Sequence, residues 1–135
     1  SQCEKLNLPI QVLEWDKSSQ PEIWAWQYFS SLGFAGAYCE GGAIGLVLKG
    51  LCLDALTKTS YFHGTCINAR EDACLKGIVT LAEKNEDQLN SIIKEIYETD
   101  RSKYLLACEE MLAYPAINEY YPGLSMNFLE KMLKK

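Results

Sequence analysis

The stretch from Ala43 to Leu56 constrains this chain more than any other. Ile44, Leu46, Val47, Leu48, Leu51, Leu53 and Leu56 leave almost no polar side to a helix drawn through it. That pattern predicts a rod buried nearly all round, the central helix of a bundle, over about residues 43–58. It falls short of the roughly 18–20 apolar residues a membrane span needs, and Lys49 and Asp54 interrupt it. No other run is longer, so no membrane partner is expected. Gly45 and Gly50 each weaken such a helix by about 1 kcal/mol relative to alanine, which predicts a second element packed close at both.

The rest of the chain reads as helices set around this rod. Ser18 to Glu22 is a helix start, with Pro21 in the first turn, and Gly33 is its natural stop. Trp24, Tyr28 and Leu32 recur every four residues and share one face. Further on, Asn68-Ala-Arg-Glu71 and Asn85-Glu-Asp-Gln88 place a cap three residues ahead of Glu or Gln. They predict helices over about 69–84 and 86–99. Asp100 caps a helix to about Ala113, and Ser125 one over 126–134, with Pro115 and Pro122-Gly123 marking a loop between them. With 135 residues there is room for one core. The expectation is an all-α, single-domain bundle of about six helices, residues 21–135, preceded by an extended segment over 1–20.

The formal net charge of -5 argues against a nucleic-acid binder held on by bulk positive charge, while leaving room for a local basic groove. Six cysteines occur without a C-x-x-C pair, and Cys52 and Cys74 fall inside helical patterns, so reduced core thiols in a cytoplasmic protein are expected. His63-Gly-Thr-Cys66 is the one histidine–cysteine pair at ligand spacing, too little for a zinc site. The first five residues lack the charged-then-apolar plan of an uncut secretory signal.

Chemistry concentrates in Gly36 to Ala43, where Glu40 stands beside two glycines at the mouth of the most buried helix. Paired glycines admit close approach of a backbone or ligand. A carboxylate there also fits a plain helix cap, contributing about 0.3–1 kcal/mol.

These residues carry a resemblance. Tyr28-Phe-Ser-Ser-Leu-Gly-Phe34, Tyr38-Cys-Glu-Gly-Gly-Ala43, Leu51-Cys-Leu-Asp-Ala-Leu56 and Asn68-Ala-Arg-Glu-Asp-Ala73 follow one another over positions 22–73. That succession resembles the helical region preceding the catalytic core of the VRR-NUC (virus-type replication-repair) nucleases, and Tyr121-Pro-Gly-Leu124 extends it faintly. The Cys-Glu-Gly-Gly run opening a long apolar helix is its most specific part. The resemblance implies that Glu40 is one metal-binding acid of a PD-(D/E)xK site cutting DNA phosphodiesters with magnesium or manganese. It also implies a later aspartate, commonly after proline, and a glutamate–x–lysine. Neither occurs here: no Asp or Glu is followed two residues on by lysine, and the prolines precede Ile10, Glu22, Ala116 and Gly123. One carboxylate does not hold a catalytic cation, so the chain alone is not expected to cut DNA.

Three other groups of side chains stand out in the sequence. Trp15, Trp24, Trp26, Tyr28 and Phe29 fit a base-stacking platform, or more commonly core. Lys131, Lys134 and Lys135 form a basic end, read as partners of a helix dipole. Glu83, Glu86, Asp87, Glu95, Glu98, Asp100, Glu109 and Glu110 make an acidic surface, either solvated or protein-binding. Two functions follow. One is the helical N-terminal region of a VRR-NUC-like nuclease, contributing Glu40. The alternative is a non-enzymatic interaction module, one that regulates a nuclease or DNA-processing complex through its acidic helices.

Overall fold

The computed structural model describes residues 1–59, 68–121 and 123–133, and these form an all-α fold in one small domain. Helix α1 spans Gln2–Lys5, α2 Pro21–Ser31, α3 Gly42–Lys58 and α4 Ala69–Lys76. A 3-10 segment, Gly77–Glu83, continues α4, and α5 Glu86–Glu98, α6 Arg101–Leu112, α7 Pro115–Tyr120 and α8 Met126–Met132 follow. Among the described residues no helix is long and apolar enough to cross a membrane.

Helix starts follow the capping chemistry. Asn85 and Gln88 exchange side-chain bonds with each other's backbone N–H at 2.9 and 3.0 Å, Asp100 accepts from Lys103 N at 2.8 Å, and Ser125 accepts from Phe128 N at 3.2 Å. Four boundaries depart from expectation. Residues 1–20 are not wholly extended, because Ser1 and Glu4 complete a capping box and wind α1. The helix expected over 69–84 changes to 3-10 geometry at Gly77. Pro115 begins α7 rather than a loop, since its ring is pre-set for a first helical turn. The last helix ends at Met132, two residues early, and Lys134 and Lys135 lie outside the described residues.

Helix α3 is the hub, meeting α4, the 3-10 segment, α5, α6 and α8. Leu46, Leu51, Leu53 and Leu56 join Ile92, Tyr104, Met111 and Leu129 in the core. It is less uniformly buried than its sequence suggests, for Ile44 and Leu48 face solvent. It also bends. Cys52 leaves helical geometry at φ -139°, which frees the Leu51 carbonyl and the Ala55 N–H from the ladder. Two side chains from the α5 end take them: Thr99 Oγ1 donates to Leu51 O at 2.7 Å, and Ala55 N donates to Glu95 Oε2 at 2.5 Å. At its far end the buried Lys84 ammonium donates to the Thr59 carbonyl at 2.6 Å, a cation on the negative pole of the helix.

The close approach expected at Gly50 is present. A Cβ there would lie 2.8 Å from the Tyr104 ring and 3.1 Å from Cys108 Sγ. At Gly45 no such neighbour exists within 4 Å, and that glycine opens onto a cavity instead.

Helix α2 stands apart from this core, to which none of its side chains belongs. Its rings pack on one another: Trp24 stacks on Tyr28 at 5.5 Å, Phe29 meets Tyr28 edge-on at 5.3 Å, and Phe34 meets Phe29 at 5.9 Å. The expectation that this aromatic set is core is therefore corrected. All of α2 is at best half-buried.

Candidate functional site

The site is a tight turn feeding α3. Gly42 N donates to Cys39 O at 2.7 Å and closes a four-residue turn whose central residues, Glu40 and Gly41, lie at φ 44° and 86°. Glycine tolerates that left-handed geometry, whereas for an L residue with a long side chain it costs about 1–2 kcal/mol. Ala43 N donates to Cys39 Sγ at 3.2 Å, so the thiol, not the neighbouring carboxylate, serves the helix end. The helix cap is Gly41, without a side-chain bond. The cap reading of Glu40 thus loses its hydrogen bond. Its carboxylate is exposed, and none of the described residues pairs with it.

Behind the turn lies a cavity of about 350 Å³. Glu40, Gly41, Gly42 and Gly45 form one edge, Leu46, Leu75, Ile78 and Ile117 line apolar walls, and Lys49 reaches it from below. The Tyr121 ring sits 3.0 Å from where a Cβ on Gly42 would stand, so the second glycine of the pair admits this ring. Lys49 is 8% exposed, and its ammonium donates to Cys74 O at 2.6 Å, tying α3 to α4. Burial pushes it below the usual lysine range, while Cys74, Asp72 and Cys52 pull the other way.

Glu40 fits one oxygen position around a hard cation, and no more. Among the described residues no three His, Cys, Asp or Glu come together to hold a metal. The pair His63 and Cys66 lies outside the described residues. The five described cysteines are free. Burial pushes Cys52 up to about 12 and both Cys74 and Cys108 up to about 11, which leaves them protonated and poor nucleophiles.

The acidic surface is smaller than its sequence suggests, because two of its members turn inward. Arg70 grips Glu110 with two bonds, 2.8 Å from Nε and 2.6 Å from Nη2, and reaches Asp54 at 2.6 Å. Lys103 bridges Asp54 at 3.0 Å and Glu95 at 3.1 Å. Asp100 is occupied in capping α6. A side chain 40 residues away in sequence gives a linear reading no sign that Glu110 is taken.

Arg70, the main partner in both cases, holds Asp54 and Glu110 below the usual carboxylate range. Their contribution to stability is complete above the ordinary carboxylate range and is lost as pH falls through the lowered values. Urea midpoints measured against pH should therefore decline on the acid side. In Arg70→Met that decline should be shallower, and an unchanged slope would mean these pairs do not stabilise the fold.

No family model, no curated protein and no solved structure matches the chain.

Proposed function

We propose that this chain is the helical part of a VRR-NUC-like, metal-dependent DNA nuclease, to whose active site it supplies the single carboxylate Glu40. The observation that carries this reading is the state of that side chain. It is exposed, has no partner among the described residues, and sits on left-handed backbone that glutamate adopts only at a cost. A residue kept for stability would be expected to bond the adjacent helix end, and this one does not.

Magnesium or manganese, when bound, neutralises charge on the phosphate and activates water. Glu40 offers that cation an anionic oxygen, and a Cβ on its neighbour Gly41 would meet nothing within 4 Å, whereas the space at Gly42 is taken by the Tyr121 ring. The aspartate and the glutamate–x–lysine, whose lysine stands beside the attacking water, are then supplied by residues other than those of this chain. The buried thiols with raised pKa values fit a reducing compartment such as the cytoplasm.

The test is cleavage of a labelled DNA duplex with magnesium. The chain alone should be inactive. Joined in one polypeptide with a segment carrying the missing acids, it should cut, and Glu40→Gln should then reduce the rate by about a hundredfold or more. Cleavage by the chain alone, or an active joined protein indifferent to Glu40→Gln, would overturn the proposal.

A further inference from the structure

The cavity behind the Glu40 turn holds a charge that the fold leaves without a counter-ion. Lys49 lines it from α3 and is buried. An ammonium can donate three hydrogen bonds, and among the described residues this one makes a single bond, to Cys74 O. Every aspartate and glutamate of the chain is among those residues, and none stands in ion-pair contact with Lys49. Asp72, on α4, favours the charge through space. Buried charges are as a rule paired, because a lone ion taken out of water is costly.

The rest of the cavity says what kind of anion fits. Its volume of about 350 Å³ lies within the range of small-molecule sites, about 300–1,000 Å³. The walls are Leu46, Leu75, Ile78 and Ile117, whose side chains carry no polar atom for a peptide amide or a sugar hydroxyl. Gly45 keeps one flank open, since a Cβ there would meet nothing within 4 Å. Glu40 stands at the edge, exposed to water that screens its charge, so the one charge buried in the lining is that of Lys49. An aliphatic body with one negative head meets both requirements. A phosphate dianion would bring a second charge that a single lysine does not balance.

We propose that this cavity binds a medium-chain aliphatic monocarboxylate, whose head accepts from the Lys49 ammonium while its chain lies against Leu46, Leu75, Ile78 and Ile117. The inference goes beyond the nuclease reading and does not rest on it, for it uses neither a metal nor the Glu40 carboxylate. Lys49 ties α3 to α4 through Cys74 O, so a carboxylate bound to its remaining N–H groups also braces that contact.

The experiment is a titration of the whole chain, without metal or DNA, with octanoate below its micelle concentration and with 1-octanol, followed by amide NMR shifts. Saturable shifts around Gly45, Leu75 and Ile117 are expected, with the acid bound about tenfold more tightly than the alcohol. From butanoate to octanoate each added methylene should tighten binding about threefold to fourfold. Lys49→Met keeps an unbranched apolar stem and should erase the preference for the acid. Gly45→Leu fills the open flank and should abolish binding of both. Circular dichroism checks the helices of each variant, and the comparison of acid with alcohol on the parent protein decides the matter even where Lys49→Met does not fold. Absence of saturable binding, shifts confined to other surfaces, or equal affinity for acid and alcohol would overturn the inference. So would a folded Lys49→Met that still prefers the acid, or a Gly45→Leu protein that binds like the parent. A failure here leaves the Glu40 cleavage test standing, because binding is read through Lys49 without metal and cleavage is read through Glu40.

Discussion

Tyr104→Ala should cost about 4 kcal/mol of folding stability, the upper range for emptying a buried aromatic site. The ring has no exposed surface, fills the space that Gly50 leaves on α3, and sends its hydroxyl 2.7 Å to the Leu129 carbonyl. One side chain on α6 thereby holds both the hub helix and α8. A domain of this size has about 5–15 kcal/mol in all, so the variant should melt roughly 15 °C lower. Tyr104→Phe separates the two contributions. It keeps the ring and should cost only about 1 kcal/mol, for the hydrogen bond. Thermal and urea unfolding of both variants measures the difference, and equal losses would show that the hydroxyl, not the ring, is what matters.

The opposite face of the same contact gives the second large effect. Gly50→Val should destabilise the fold by about 3 kcal/mol through overpacking. Its Cβ would enter at 2.8 Å from a ring that cannot retreat, because Tyr104 is enclosed and tethered at its far end. Gly50→Ala separates sterics from helix propensity. Alanine gains about 1 kcal/mol as a helix former, yet the clash should still leave it net destabilised. A stabilised Gly50→Ala would mean that α3 and α6 slide apart easily. By contrast Gly45→Ala meets nothing within 4 Å and should raise stability by about 0.5–1 kcal/mol.

Much of this architecture was legible in the sequence because its signals are local. Asn85, Asp100 and Ser125 cap helices through backbone groups three residues ahead, and the apolar rod lies within one segment, whereas a glycine in a helix marks a close approach at Gly50 but not at Gly45 and names no partner for either. The α1 helix was equally readable, since Ser1-Gln-Cys-Glu4 is a capping box; only the proline-broken stretch after it suggested extension. The bend in α3 was not readable. Its repair comes from Glu95 and Thr99, 40 and 48 residues away, and nothing in a linear pattern links them to Ala55 and Leu51. The same distance hides the capture of Glu110 by Arg70. The misplacement of the α2 aromatics has another cause: helical spacing shows that rings share a face, not what that face meets. At the candidate site Glu40 stands out in the sequence by its neighbours, whereas its left-handed backbone is a property of the folded turn.

That backbone allows the function of Glu40 to be tested without any partner. Glu40→Asn removes the carboxylate and places before Gly41 the residue such a turn prefers. Relief of left-handed strain, about 1–2 kcal/mol, outweighs the lost attraction to the helix end of about 0.3–1 kcal/mol. The unfolding free energy of this variant is the decisive measurement. A rise of about 0.5–1 kcal/mol is expected of a carboxylate kept for chemistry at the expense of the fold. A fall would show that the carboxylate supports the helix, and would contradict its assignment to a metal site.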